Sequence, residues 1–277
     1  MIVATNASGL GNRIKAIVSC MRTSPNNHRV FWTKNRDLSC DFKDLFRNNI
    51  EVDNLSFSHQ RYDSWRLAVF DEDEIPDSFN LETAGFDRAG NRFSFTCPRG
   101  RNIDIEYNRI PNPVRERYLK HFNALKIHPY ILTEVKKFSE NFDENTVSIH
   151  IRSWADDDER KTNFHRLEKF IDETRKFDDK TKFYLTSDSE DVKLTFKELY
   201  KDRILIYNRE TDIKTSRGNS FGIQEDFIEM LLLSKNNHII GTYLSTFTEV
   251  AWWLGGAKAK VVAVSYTHLT LPTIYSV

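Results

Sequence analysis

The second half of the chain alternates short apolar runs with amphipathic stretches. Runs of β-branched or aromatic residues with a period of two predict buried strands at residues 146–151, 182–186, 204–207, 238–241 and 260–263. Stretches with an apolar residue every three or four positions predict helices at residues 164–176, 190–199, 221–234 and 245–254. Because strands and helices alternate with short connections, this half is predicted to form a parallel, doubly wound α/β sheet.

The first half follows a similar rhythm less regularly. Its predicted elements are strands at residues 1–5 and 30–33 and helices at residues 12–21, 114–125 and 129–142. Between residues 41 and 109 the apolar pieces are short and broken by Asn, Asp and Gly, so no element is predicted there. We expect two domains with parallel sheets, an N-terminal one at residues 1–135 and a C-terminal one at residues 136–263.

Residues 264–277 interrupt this pattern, since a strand ends there without a turn or cap signal. The run from Ser265 to Thr273 also resembles a translated sequencing adapter. We therefore expect residues 264–277 to be a non-native tail outside the fold.

Charge and cysteine content restrict the function classes. Forty basic and forty acidic residues give a net charge of zero, which argues against a nucleic-acid partner, because such surfaces need a basic excess. Three widely spaced cysteines, Cys20, Cys40 and Cys97, predict reduced thiols in a cytoplasmic protein and show no metal-ligand spacing. No apolar run reaches membrane-spanning length, so no transmembrane segment is expected. The sequence does not predict an oligomeric state.

The predicted central strand carries the first candidate site. His150 and Arg152 lie two residues apart near its carboxyl end, so on a strand they point to the same face. Ligands of open α/β sheets bind outside the carboxyl ends of strands, and a guanidinium there suits a phosphate. A buried arginine paired with one of the carboxylates of residues 156–159 explains this segment equally well.

The turn after the first strand is a second candidate. It contains Gly9 and Gly11, which allow a ligand to approach the backbone, followed by Asn12 and Arg13 as a neutral donor and a cation. The turn lacks both the Gly-Lys-Ser/Thr ending of a nucleotide P-loop and the third glycine of the dinucleotide fingerprint. Two glycines in a tight turn are also common for structural reasons alone.

Two more junctions between strand and helix carry polar groups. Asp188 follows a predicted strand, where it can accept hydrogen bonds from guanine or simply cap the next helix. Ser245, Thr246 and Phe247 begin an apolar helix, which makes either an anion site or a plain helix cap. All four junctions are expected at the same edge of a parallel sheet.

Taken together, these motifs resemble the nucleotide-sugar motifs of a fucosyltransferase superfamily, over essentially residues 1–263. It includes the nodulation and core α-1,6-fucosyltransferases, the α-1,2-fucosyltransferases and the protein O-fucosyltransferases. The resemblance implies a GT-B-like fold of two facing Rossmann-like domains, with GDP-fucose held mainly by the second. Carried over by position, the donor-binding residues are Gly9, Gly11, Asn12, Arg13, His150, Arg152, Asp188, Ser245, Thr246 and Phe247. Arg152 takes the β-phosphate, and His150 and Asp188 take the ribose or guanine.

The chemistry implied is inverting transfer of fucose to a glycan hydroxyl, without a metal. Asp156 and Asp157 are the nearest candidates for the catalytic base, although Ser153-Trp154-Ala155 departs from the family pattern and leaves the base open. Two alternatives remain. One is a metal-dependent glycosyltransferase that uses the carboxylates of residues 156–158, and the other is a non-catalytic nucleotide-sugar or glycan-binding protein.

Overall fold

The computed structural model describes residues 2–5, 9–23, 28–56, 112–153, 167–213, 215–243 and 245–264. The two candidates for the catalytic base, Asp156 and Asp157, lie outside these ranges. So do residues 265–277 of the expected tail.

The first sheet has three parallel strands in the order β1-β2-β3. The strands are β1 (Ile2–Thr5), β2 (His28–Lys34) and β3 (Glu51–Ser56), with helices α1 (Leu10–Thr23) and α2 (Phe42–Leu45) between them. The apolar positions of α1 at Ile14, Ile17 and Val18 are fully buried, as its helical spacing predicts. Strand β3 was not predicted, because polar residues interrupt its sequence, Glu-Val-Asp-Asn-Leu-Ser.

Where the described residues resume at 112, the chain forms the helices α3 (Asn112–Asn123) and α4 (Pro129–Ser139). Helix α4 begins with Pro129 in the first position, and the Nδ1 atom of His128 accepts a hydrogen bond from the amide of Tyr130 at 3.1 Å. The helix crosses the expected boundary at residue 135 and packs on a helix of the second half. The division at that residue stays a prediction.

The second sheet has five parallel strands in the order β6-β5-β4-β7-β8. They are β4 (Val147–Ile151), β5 (Phe183–Ser187), β6 (Ile204–Leu205), β7 (His238–Thr242) and β8 (Lys260–Val264). From β4 the chain moves outward to β5 and β6, then returns to the other side of β4 for β7 and β8. The direction of winding therefore reverses between β4 and β7, which makes that pair the topological switch point of the sheet.

In the described ranges, the α-helices between these strands are α5 (Leu167–Thr174), α6 (Glu190–Tyr200), α7 (Ser220–Leu233) and α8 (Thr246–Leu254). Strands β4 and β5 are buried along their whole length, as expected for a sheet covered on both faces. The apolar core continues from the first half into the second, for example where the rings of Phe46 and Phe227 lie 5.4 Å apart. Within the described ranges, no helix combines the length and the apolar character needed to cross a membrane.

The last strand corrects one sequence-based boundary. Val264, which we assigned to the tail, pairs with Thr242 of β7, and its carbonyl accepts a hydrogen bond from the amide of Tyr243 at 3.1 Å. Its side chain is buried in the apolar cluster around β4 and β5. The prediction of a strand over residues 260–263 was therefore one residue too short, and Val264 belongs to the fold.

Candidate functional site

The carboxyl ends of β4, β5 and β7 bring polar groups together beside the switch point. His150 on β4 is in register with Thr186 on β5 and with Gly241 on β7. Just past these positions, the Arg152 amide donates a hydrogen bond to the Thr242 hydroxyl at 2.8 Å. The same hydroxyl donates to the His150 carbonyl at 3.1 Å, so it ties the end of β4 to the end of β7.

Arg152 pairs with a carboxylate from the neighbouring strand end. Its Nη1 atom lies 2.6 Å from Oδ2 of Asp188, and the two side chains are 20% and 19% exposed. The contact is an ion pair without hydrogen-bond geometry, since the buried Oδ2 atom makes no hydrogen bond. Arg152 is thus paired with Asp188 in a partly exposed position. The guanidinium can therefore meet a ligand at the carboxyl edge. The carboxylates of residues 156–159, the partners considered from sequence, lie outside the described residues.

Asp188 does not cap the helix that follows it. The Oδ1 atom of Asp188 accepts hydrogen bonds from the amide and hydroxyl of Ser153, at 2.6 and 2.8 Å. Ser189 occupies the cap position of α6 instead, and its hydroxyl accepts from the Val192 amide at 3.4 Å. The cap explanation for Asp188 was therefore wrong. Asp188 fixes both the backbone after Arg152 and the guanidinium itself.

His150 is buried against the start of α8. Its Nδ1 atom lies 2.8 Å from the Thr248 hydroxyl, and its ring stacks on Phe247 with centroids 4.7 Å apart. Burial lowers the pKa of His150 from 6.5 to about 3, with Asp188 opposing the shift and Arg152 adding to it. The imidazole is therefore neutral near pH 7, and its ring and Nδ1 atom connect the end of β4 to α8.

This burial makes the stability of the fold depend on pH. Between pH 6.5 and about 3 the unfolded chain takes up a proton at His150 that the folded chain does not, so stability falls as the pH falls. In a His150→Asn variant, the amide nitrogen can keep the contact with Thr248 but cannot titrate. We expect urea unfolding at pH 7.5 and pH 5 to show a smaller difference in the free energy of unfolding for the variant than for the wild type. An equal difference in both proteins would contradict the neutral, buried imidazole.

The start of α8 lies beside the same strand ends. Ser245 is its N-cap, and the hydroxyl accepts from the Thr248 amide at 3.4 Å, so the cap explanation is correct for this residue. The first amides of a helix have no partner within it, and the helix dipole favours an anion there. The cap and an anion site at Thr246 and Phe247 are therefore compatible.

The glycine turn of the first half meets α8 at this point. A Cβ atom added to Gly11 would lie 3.0 Å from the Thr246 carbonyl oxygen, which is tighter than ordinary van der Waals contact. A side chain at this position would press on the start of α8. Gly9 has open space around it, and Asn12 is partly exposed.

Arg13 turns toward its own half. It is 2% exposed, its guanidinium lies 5.1 Å from the centroid of the Trp32 ring, and it donates to the Asn35 side chain at 3.2 Å. Burial lowers the pKa of Arg13 to about 10. These contacts hold Arg13 against the end of β2, whereas Gly11 lies against Thr246. These contacts therefore hold the Arg13 side chain within the first half of the protein, and none of them joins it to Arg152.

Sequence reasoning missed a buried charged cluster after β6. Arg209 lies 2.6 Å from Glu229, 2.7 Å from Asp226 and 3.6 Å from Glu225, all on α7. Glu225 also accepts hydrogen bonds from the amides of Glu210 and Thr211. Burial raises the pKa of Glu229 to about 7, against the opposing effect of Arg209. The cluster anchors the segment after β6 to α7. The sequence showed only scattered charges within an apolar helix.

Among the described residues, no group of three or more His, Cys, Asp or Glu side chains is placed to bind a metal ion. The carboxylates of residues 156–158 are outside the described ranges, so the metal-dependent alternative stays untested.

No protein-family model matches the chain, and no curated protein matches it. Solved structures do. NodZ fucosyltransferase from Bradyrhizobium is 15% identical over 95% of this chain and 93% of that chain, with a TM-score of 0.57. NodZ α-1,6-fucosyltransferase soaked with GDP-fucose is 16% identical over 91% of each chain, with a TM-score of 0.56. A mutant of Arabidopsis thaliana FUT1 in complex with GDP is 15% identical over 94% of this chain and 69% of that chain, with a TM-score of 0.52. The α/β fold with parallel sheets, predicted from the alternation of strands and helices, is confirmed.

Proposed function

We propose that this protein is an inverting glycosyltransferase that transfers fucose from GDP-fucose to a hydroxyl of a glycan. One observation carries the proposal. At the switch point between β4 and β7, the partly exposed side chain of Arg152 lies at the same sheet edge as the start of α8, with Gly11 of the first half beside it. A switch point is where open α/β sheets bind their ligands. The fold shared with the fucosyltransferases supports GDP-fucose as the ligand.

The leaving group explains why these residue types are needed. Cleavage of a glycosyl diphosphate leaves negative charge on the diphosphate while positive charge develops on the sugar. A fixed guanidinium and preoriented amides stabilise that negative charge in the transition state. We assign Arg152 to the β-phosphate and the amides of Thr246 and Phe247 to the remaining phosphate oxygens. Gly11 and Asn12 close the site from the first half.

The contacts of Asp188 and His150 refine their proposed roles. Asp188 interacts with Arg152 and with both donors of Ser153, which supports a role in orienting the guanidinium. Contact of Asp188 with the guanine or ribose stays a prediction. The His150 ring is held in a fixed orientation by Thr248 and Phe247. Contact of His150 with the nucleoside stays a prediction.

Acceptor activation is assigned to a carboxylate. An inverting attack is assisted by a base within hydrogen-bond reach of the acceptor hydroxyl, and we propose Asp156 or Asp157 for this role. Their place in the sequence, four and five residues after Arg152, supports the assignment.

We also propose a cytoplasmic location, which rests on the three widely spaced cysteines.

A panel of nucleotide-sugar donors tests the function. The protein is mixed with GDP-fucose, GDP-mannose, UDP-glucose and UDP-galactose, and both the shift in melting temperature and donor hydrolysis are measured with a mixture of glycan acceptors and without it. We expect stabilisation and turnover with GDP-fucose, unchanged by a chelator. Stabilisation without turnover would favour the non-catalytic alternative, and loss of turnover with EDTA would favour the metal-dependent one. A preference for a UDP-sugar would contradict the donor assignment.

A further inference from the structure

A buried ion pair connects the two halves beside the proposed phosphate site. Lys15, on the second turn of α1, lies 3.0 Å from Oε2 of Glu249, on the first turn of α8. The two residues are 234 positions apart in sequence, and their side chains are only 2% and 1% exposed. The Trp253 indole donates to the other carboxylate oxygen of Glu249 at 3.4 Å. None of the roles proposed above uses this pair.

The position of Glu249 is unusual for a helix that receives a diphosphate. A carboxylate on the first turn already satisfies the positive end of the helix dipole, and it repels a second anion at the same place. Because Glu249 is buried, water screens this repulsion poorly. Its charge must be compensated before the start of α8 can accept phosphate oxygens.

Lys15 supplies that compensation from the other half of the protein. Its ammonium is held one turn along α1 from Gly11, the residue that approaches the Thr246 carbonyl. The packing of α1 on α8 therefore places both Gly11 and the Lys15 ammonium beside the start of α8. We propose that Lys15 is a positioning residue for the donor, which neutralises Glu249 and so allows the start of α8 to bind a diphosphate. This inference rests on the proposed function.

The electrostatic role differs measurably from a purely structural one. If the pair only holds the helices together, its loss weakens every ligand of the site by a similar factor. If Lys15 acts by neutralising the charge of Glu249, the loss of affinity must grow with the number of phosphates on the ligand. Guanosine, GMP and GDP form a series that changes this charge while the nucleoside stays the same.

The test compares dissociation constants for the three ligands in the full chain and in a Lys15→Met variant. We expect the variant to bind guanosine as the wild type does, GMP roughly threefold more weakly and GDP about tenfold more weakly. The double variant Lys15→Met/Glu249→Gln should bind GDP within about threefold of the wild type, because no uncompensated carboxylate remains. An equal loss for all three ligands, or no recovery in the double variant, would overturn the proposal.

A second variant keeps the test decisive if Lys15→Met does not fold. Glu249→Gln removes the repelling charge but leaves Lys15 in place, so GDP should bind at least as tightly as to the wild type. A structural role predicts weaker binding instead. Lys182→Met is the matched control, because it removes one positive charge from an ion pair with Asp143 at the opposite edge of the sheet. Lys182→Met should leave the dissociation constants for guanosine, GMP and GDP unchanged. If the wild type binds no GDP, the proposed function fails, whereas a uniform loss in Lys15→Met overturns this inference alone.

Discussion

Replacement of Arg152 by lysine should lower turnover of GDP-fucose by about a hundredfold or more, with the fold intact. Lysine keeps the positive charge but loses the planar fork that donates to two oxygens at once. The side chain is partly exposed, and the backbone contact of Arg152 with Thr242 does not depend on its identity, so folding should be preserved. Initial rates and the melting temperature of the variant, measured side by side, separate the two effects.

A second arginine-to-lysine substitution, at an exposed position, serves as the control for Arg152→Lys. Arg175 lies just after α5, and its exposed side chain pairs with Asp172 at 3.2 Å. Arg175→Lys should leave the rate unchanged. A near-wild-type rate in Arg152→Lys would show that this guanidinium does not bind the diphosphate.

Asp188→Asn should give the second largest effect, a fall in turnover of roughly tenfold to a hundredfold. Asparagine can still accept hydrogen bonds from Ser153 at the position of Oδ1, so the turn after β4 should persist. It carries no charge to hold the guanidinium, which lies 2.6 Å from Oδ2 in the wild type. Arg152 should then lose its fixed orientation, and steady-state kinetics would show the loss.

A double substitution distinguishes orientation of Arg152 from a general structural role. If Asp188 acts through Arg152, then Asp188→Asn/Arg152→Lys should be little slower than Arg152→Lys alone. Ser189→Ala is the structural control, because it removes the cap of α6 at a cost of about 1 kcal/mol in stability without touching Arg152. Its turnover should match the wild type. Fully multiplicative effects in the double variant would mean that Asp188 acts independently of Arg152, as a direct contact with the nucleoside would.

The regular elements could be predicted because their side chains follow one clear period. The apolar spacing of α1 follows the period of a helix, and the alternation of β-branched with polar residues in β4 follows the period of a strand; both elements appear in the structure. Strand β3 escaped notice because only Val52 and Leu55 among its six residues are apolar. The order of the strands creates the switch point. Because that order depends on how the helices pack on the sheet, no single segment of the sequence predicts it.

The polar strand ends could be identified from sequence, but the pairings of their side chains could not. Two adjacent residues, Asp188 and Ser189, both suit a helix cap, and only the structure reveals that Ser189 takes it and frees Asp188 for Arg152. Arg13 follows the glycine turn as an anion-binding cation would, yet the helical geometry of α1 directs it to Trp32. The contact between Lys15 and Glu249 joins the ends of the chain, so no local pattern could indicate it.

The position of bound GDP tests the central claim most directly. A crystal structure of the full chain with GDP should place the diphosphate between the Arg152 guanidinium and the amides of Thr246 and Phe247. Its oxygens should lie within about 2.7–3.2 Å of these donors. GDP bound away from the carboxyl ends of β4 and β7, or bound there without contact between Arg152 and a phosphate oxygen, would contradict the account.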